Sequence, residues 1–387
     1  MTYPTIRPAL TLDFEKSKKL DPRITFTRSS TATYLDAATG LVKTAPSGVA
    51  RFEKEGLLIE ESRTNLVIYS EDLTQSNWVK YGVTITSNAV AAPDGNTSAD
   101  KMFSTAGAAL LAVQQAKTGL TNAAQYTRSV FFKAAELTSA TMQIGGTTEG
   151  TILCVVDLSN GTSTNGGVVT AYQNGWYKVE RTFTMSGTTN DFYLRLPDSS
   201  STNDGVYVWG AQLEAGGFPT SYIPTSGSTV TRAADVCEAT LPNVLNGSEG
   251  VFVTYATPQN PSLNNHYIVQ PIDTANTGNT MTLLASANYS FSVYDNNTET
   301  VRINYLAYQT GVKTVAAHAY ATDNTSYITD GVVRGTDTSC SMPSALNKLY
   351  IFANSNRPAY SLVTGHFHRL TFYPERVSDA SLQELTS

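Results

Sequence analysis

Trp176-Tyr177-Lys178-Val179-Glu180-Arg181-Thr182-Phe183-Thr184-Met185 alternates so strictly that one reading dominates. Tyr177, Val179, Phe183 and Met185 share one face, and Lys178, Glu180, Thr182 and Thr184 share the other, the two-residue period of a half-buried strand. Outward from it the same period recurs. Val206–Glu214 places Tyr207, Trp209, Ala211 and Leu213 on one face, and Val301–Gln309 places Val301, Ile303, Tyr305 and Ala307 together. Turn pairs separate these runs at Asp94-Gly95, Asn160-Gly161, Asn174-Gly175, Asp204-Gly205, Asn246-Gly247 and Asp330-Gly331. Such pairs accept the positive φ of tight hairpins. The plainest hairpin is Tyr327-Ile328-Thr329, Asp330-Gly331, Val332-Val333. Many short strands with frequent turns predict an all-β chain of sandwich, jelly-roll type rather than alternating βαβ units. Helix is expected only at the C-terminus, where Ser378 caps Asp379–Leu385 and Asp379 meets the positive end of the dipole.

The chain has 387 residues, too many for one ordinary sandwich. An irregular, strand-containing leader spans residues 1–70, with short strands at Leu10–Phe14 and Ile24–Phe26, a polar turn at Arg28–Thr31 and a buried edge or latch at Leu57–Ile59. It serves either as an anchor to another protein or as packing along the first sandwich. One sandwich is expected over 71–232 and a second over 233–387, with Gly216–Val230 as an ordered connector.

Net charge is −6 and charged residues make up 15% of the chain. A nucleic-acid binder needs a basic stripe. The nearest candidate, Lys16, Lys18, Lys19, Arg23 and Arg28, is diluted by Glu15 and Asp21 and reads as a solvated surface, so no nucleic-acid partner is expected. The acidity also disfavours a strongly anionic polysaccharide and is neutral toward uncharged glycans. Cys154, Cys237 and Cys340 are widely spaced and odd in number, which reads as three reduced thiols. Neither a secretory signal nor an apolar run of about 18 residues is visible, so no membrane insertion is expected.

Three strings carry a family resemblance. Residues 24–80 (ITFTRSSTATYLDAATGLVKTAPSGVARFEKEGLLIEESRTNLVIYSEDLTQSNWVK) resemble a leader segment of phage and prophage fibre and head-spike proteins. Residues 206–236 (VYVWGAQLEAGGFPTSYIPTSGSTVTRAADV) are similar to the closing strand and exit of the carbohydrate-binding-module-like jelly roll that follows that leader. Residues 365–387 (GHFHRLTFYPERVSDASLQELTS) resemble the last strand and terminal helix of concanavalin A-like, laminin-G-type domains in the same proteins. The resemblance implies a virion-surface fibre or spike, made in the host cytoplasm. Its partners would be other virion proteins and a host-surface glycan, and it would act as a homo-oligomer with a trimer favoured. It does not by itself imply sugar binding, since a fold does not fix a function. A purely structural head or tail decoration protein and a polysaccharide depolymerase are the alternatives.

A sugar site in a sandwich needs an aromatic plane flanked by amide, carboxylate or guanidinium groups. The expected candidates are Trp78 and Tyr81 in the first sandwich, and Tyr289, Tyr294, Tyr305, Tyr308 and Asn304 in the second. Tyr305 and Tyr308 have opposite parity on one strand, so a regular strand cannot present both. Trp209 reads as core, and one of Trp176 and Tyr177 should be buried. A structural calcium would draw on Asp72, Asp94, Asn96 and Asp100. The acidic residue that such modules carry in their first strand has no clean match at Leu73-Thr74, so no cofactor is expected. His366 and His368 share a strand face but lack a third ligand by spacing, so no metal site is expected either. No catalytic residues stand out. Glycoside hydrolysis wants two carboxylates across a cleft, the alternate-position acids of concanavalin-like hydrolases are missing, and Glu60 and Glu61 point to opposite faces.

Overall fold

The computed structural model describes residues 6–105, 108–198, 201–259, 266–285, 288–307, 310–353 and 363–387. The chain is nearly all β, in antiparallel sheets, and divides into two compact units. One comprises residues 32–44 and 63–232, the other residues 1–31, 45–62 and 233–387. The N-terminal seventy residues are thus shared between the two.

The 63–232 unit is a jelly-roll sandwich of two six-stranded sheets. The first runs in the order Val168–Ala171, Trp176–Thr184, Gln125–Ala134, Gly205–Ala215, Thr97–Ser104, Val83–Ala91. The second runs Thr162–Ser163, Gly150–Asp157, Ser139–Thr147, Thr189–Arg195, Ala112–Thr118, Val79–Tyr81. Their facing side chains, among them Val130, Phe132, Val179, Val208, Leu213, Met142, Ile144, Phe192 and Leu194, make one dry core. Val179, Phe183 and Met185 point into it and Tyr177 packs against it, as the alternation predicts.

The Gly205–Ala215 strand departs from its predicted parity. Val206 and Val208 face the core, and so do Ala211 and Leu213, whereas Trp209 faces away. The phase changes at Gly210, which sits at φ +65° beside a register shift against Ser129 and Phe131. This is a β-bulge, whose extra residue turns the following side chains over. Trp209 is nonetheless buried, in a satellite core with Phe131, Trp176 and Tyr222 on the outer side of the first sheet. Part of that cover is the 216–230 stretch. Tyr222, Ile223 and Thr225 are buried, and Asn65 donates to the Ala211 and Ile223 carbonyls at 3.1 and 2.8 Å.

In the other unit, one sheet runs Val332–Asp337, Thr325–Thr329, Thr314–Ala321, Glu249–Pro258, Gly365–Tyr373, Gly56–Ile59, Arg51–Glu53, with Leu10–Asp13 also pairing to Gly365–Tyr373. Its partner sheet runs Ile24–Thr27, Val236–Thr240, Lys348–Ile351, His266–Ile272, Thr280–Ala285, Asn288–Asp295, Thr298–Ala307. Phe252, Phe291, Val301, Ile303, Leu349, Phe367 and Phe372 are among the core between them. The Asp330-Gly331 hairpin forms as expected, with Thr329 opposite Val332. The terminal helix spans Asp379–Thr386, and the Ser378 hydroxyl accepts from the Ser381 amide.

Arg28 is not a solvated surface residue. Its guanidinium is fully buried and pairs with Asp235 at 3.0 Å, while Arg51 bridges Asp235 at 2.5 Å and Glu60 at 2.6 Å. Four charges buried together tolerate the interior because each has an opposite partner at hydrogen-bond distance. The three cysteines are buried and free.

Candidate functional site

The outer face of the second sheet of the 63–232 unit gathers aromatic and polar side chains. Asp191-Phe192-Tyr193-Leu194-Arg195 alternates, with Phe192 and Leu194 in the core and the other three half-buried on the outside. Tyr193 lies opposite Gln114 on one side and Gln143 on the other, and Arg195 lies opposite Ala112 and Thr141. Ala112 in turn pairs with Tyr81, so the sheet itself brings Tyr81 into reach of Tyr193. The two phenol rings stand 6.2 Å apart, tilted by 43°.

Hydrogen bonds fix the polar groups around this pair. The Tyr81 hydroxyl donates to Gln114 Oε1 at 2.8 Å, and Gln114 Nε2 donates to Asp191 Oδ1 at 3.1 Å. Arg195 donates to Gln143 Oε1 at 2.8 Å and to Asp198 Oδ1 at 2.9 Å. Partial burial, with Asp191 and Tyr81 nearby, raises the Tyr193 phenol above its ordinary value, so it is a neutral hydroxyl at physiological pH. The result is an aromatic surface edged by two amides, a guanidinium and a carboxylate. Such a surface can stack an apolar ring face and exchange hydrogen bonds with hydroxyls.

The other expected site residues are distributed differently. Trp78 is fully buried, not exposed; its indole N–H donates to the Tyr69 carbonyl at 3.0 Å and its ring packs on Phe192. The short turn before Val79–Tyr81 folds it inward. Tyr289 belongs to the core of the other unit, with its hydroxyl 3.0 Å from that of Thr314. Tyr294 is half-buried and accepts from Arg302 at 3.3 Å, and Asn304 is exposed. Five residues separate Tyr294 from Tyr289, so the two fall on opposite faces of the strand, Tyr289 with Phe291 and Val293 in the core. The Tyr305 side chain and Tyr308 lie outside the described residues.

The carboxylates considered for calcium each have other partners. Asp100 accepts the Leu73 and Asn88 amides at 2.7 and 3.1 Å, and burial raises its pKa to about 6. The Lys80 ammonium donates to the Thr74 and Gln75 carbonyls at 2.8 and 2.7 Å, with Asp72 and Asp100 as its charged neighbours. Asp94 closes a turn on Asn96, accepting from its amide at 2.9 Å and its side chain at 2.8 Å.

No family model and no curated protein matches the sequence. Among solved structures, the Ruminococcus gnavus IT-sialidase CBM40 bound to alpha2,3 sialyllactose is similar at 11% identity and TM-score 0.33, over 38% of this chain and 85% of that one. Domain 4 of AbnA, a GH43 extracellular arabinanase from Geobacillus stearothermophilus, in complex with arabinotriose, shares 11% identity at TM-score 0.33, over 44% of this chain and 82% of its own. Mouse laminin alpha1 domains LG4-5 share 9% identity at TM-score 0.26, over 67% and 87%. Scores this low carry no argument about ligand or activity, and the sandwich assignment rests on strand order and register.

Tyr193, Gln114, Gln143, Asp191 and Arg195 were missed in the sequence. Their alternation with Phe192 and Leu194 was readable, but the strand order that sets Tyr81 beside them was not.

Proposed function

We propose that the chain is a non-enzymatic glycan-attachment protein and that a sugar ring docks on the Tyr81–Tyr193 face. The observation that carries this reading is the phenol pair 6.2 Å apart, bordered by Gln114, Gln143, Asp191 and Arg195 already held in place by hydrogen bonds. Groups fixed before binding lose little conformational entropy when they engage a ligand. One guanidinium beside acidic side chains suits a neutral or mildly charged glycan better than a polyanion.

The resemblance to phage fibre and head-spike proteins supports a place on the surface of a virion, with a host-surface glycan as target. Three buried thiols without a disulfide suit assembly in a reducing host cytoplasm. An open face of this kind binds weakly, so a homotrimer presenting three copies would gain avidity.

The test is a glycan array probed with the full chain, followed by NMR titration of the strongest hit. Binding should vanish in Tyr193→Ala and Arg195→Ala and persist in Tyr294→Ala. A folded chain that captures no glycan would instead favour the structural decoration role.

A further inference from the structure

Outside the glycan face, two short motifs remain unexplained. Glu53-Lys54-Glu55 spaces two acids by one residue, and His366-Phe367-His368 does the same with two imidazoles. The unit formed by residues 1–31, 45–62 and 233–387 brings the two motifs together. Arg51–Glu53 and Gly56–Ile59 form a hairpin in which Glu53 opposes Gly56, leaving Lys54-Glu55 as the turn. The second strand of that hairpin pairs with Gly365–Tyr373, Leu58 facing His366 and Leu57 facing Phe367.

The approach is close because residue 56 is glycine. At its φ of +138°, a Cβ would stand 2.7 Å from the Phe367 carbonyl oxygen. The Lys18 ammonium pins the turn from the other side, donating to the Glu53 and Lys54 carbonyls at 2.6 and 2.7 Å.

We infer that Glu53, Glu55 and His366 form a binding site for a zinc-type transition-metal dication. One ligand atom from each lies within 4.8 Å of the others. Bonds of about 2.0–2.2 Å around a tetrahedral ion set ligand atoms roughly 3.3–3.6 Å apart, so modest side-chain adjustment closes the site. His366 Nε2 is already 2.9 Å from Glu53 Oε2. His366 is buried on a strand paired on both sides, which holds its ring, and two carboxylates neutralise a dication. Imidazole with carboxylate oxygen suits zinc, whereas calcium and magnesium prefer oxygen alone.

A second observation points the same way. The His368 side chain is only 3% exposed and meets the main chain of the same turn. Its Nε2 is satisfied by the Thr257 hydroxyl at 2.7 Å. Nδ1 stands 3.7 Å from a Glu15 carboxylate oxygen, and the ring hydrogen-bonds to the Glu55 main chain with His366 as a charged neighbour. His368 lies two residues from His366 on the same strand, and its contact with the Glu55 main chain ties the buried ring to the turn that carries the two acids. Lys313 lies nearby but is paired with Glu15 at 3.0 Å.

The full chain, stripped with chelator at pH 7.5, should take up one equivalent of Zn²⁺ by calorimetry. With Co²⁺ it should show the visible absorption bands of nitrogen–oxygen coordination. Glu55→Gln changes an exposed turn residue, leaves the His366–Glu53 hydrogen bond intact, and should weaken uptake at least about tenfold. His366→Gln should abolish it, with circular dichroism confirming the fold. A parent chain that takes up no stoichiometric zinc overturns the assignment, as does uptake unchanged by both substitutions.

Discussion

His318 offers the sharpest test of the packing in the second unit. It sits mid-strand in Thr314–Ala321, opposite Phe252 and Tyr327, with its ring stacked on Tyr327 at 4.8 Å and tilted against Phe291 at 5.1 Å. It is fully buried, and neither ring nitrogen has a hydrogen-bond partner of good geometry. Burial lowers its pKa from 6.5 to about 3, with the Phe252 main chain pulling weakly the other way. The folded chain therefore binds this proton only near pH 3, while the unfolded chain binds it near 6.5. Stability is fully present above pH 6.5 and is lost as the pH falls below it. One proton linked over that window costs about 2 kcal/mol between pH 7 and pH 5, close to a thirtyfold change in the opening equilibrium. His318→Phe keeps a ring on Tyr327 and removes the titration, at a cost of about 1 kcal/mol or less at pH 7. All three tryptophans, Trp78, Trp176 and Trp209, belong to the 63–232 unit, so their fluorescence reports the other unit and serves as the internal control. Peptide-resolved hydrogen exchange over 314–321, corrected for intrinsic rates, reads the strand directly. Protection should fall about thirtyfold more between pH 7 and pH 5 in the parent chain than in His318→Phe. Parallel losses in both proteins would refute the reasoning.

Three further outcomes follow from the geometry. Arg51→Met removes the cation that Glu60 and Asp235 share in the interior and should cost about 3–5 kcal/mol, measured by urea unfolding of the second unit with tyrosine circular dichroism. Gly210→Val puts a branched side chain at φ +65° with its Cβ 3.0 Å from the Phe131 ring. It should cost about 1–3 kcal/mol and red-shift the emission of Trp209 as the bulge loosens. In the proposed glycan face, Tyr81→Phe keeps the ring and loses the hydrogen bond to Gln114, so glycan affinity should drop by about 1 kcal/mol in NMR titration, while Tyr193→Ala should remove binding with little change in melting temperature.

Local periodicity made much of the architecture legible. The 176–185 alternation, the Asp330-Gly331 hairpin and the Ser378 cap each depend on neighbours within a few residues, and each forms as read. Two kinds of feature escaped. A bulge inverts parity without changing composition, so nothing before Gly210 signalled that Trp209 and Ala211 face opposite sides. Long-range pairing is equally silent: Arg28 resembles a surface cation until Asp235, 207 residues away, is folded against it. Trp78 failed for a related reason: its place near the first strand of the sandwich says nothing of the Tyr69 carbonyl and Phe192 that draw it inward.

The N-terminal segment shows why the sequence reads as a leader and yet behaves as framework. Ile24–Thr27 forms an edge strand against Val236–Thr240, Arg51–Glu53 and Gly56–Ile59 extend the opposite sheet beyond Gly365–Tyr373, and Leu10–Asp13 pairs with that last strand as well. An uncovered sheet edge offers unpaired amides and carbonyls to any other chain, so these short strands replace a hazard with satisfied ladders. The same segment supplies Arg28, Arg51 and Glu60 to the buried charge group centred on Asp235. The polypeptide leaves this unit after residue 62 and rejoins it at 233, so the jelly roll is in effect an insertion within a sandwich whose two sequence halves are held by ion pairs. Burying those pairs has a desolvation cost that apolar residues would avoid. What charge adds is selectivity of register, because a one-residue slip of Arg51–Glu53 or Val236–Thr240 would leave a guanidinium facing no carboxylate. That requirement, rather than added stability, accounts for a polar lock where two distant stretches of one chain must find each other.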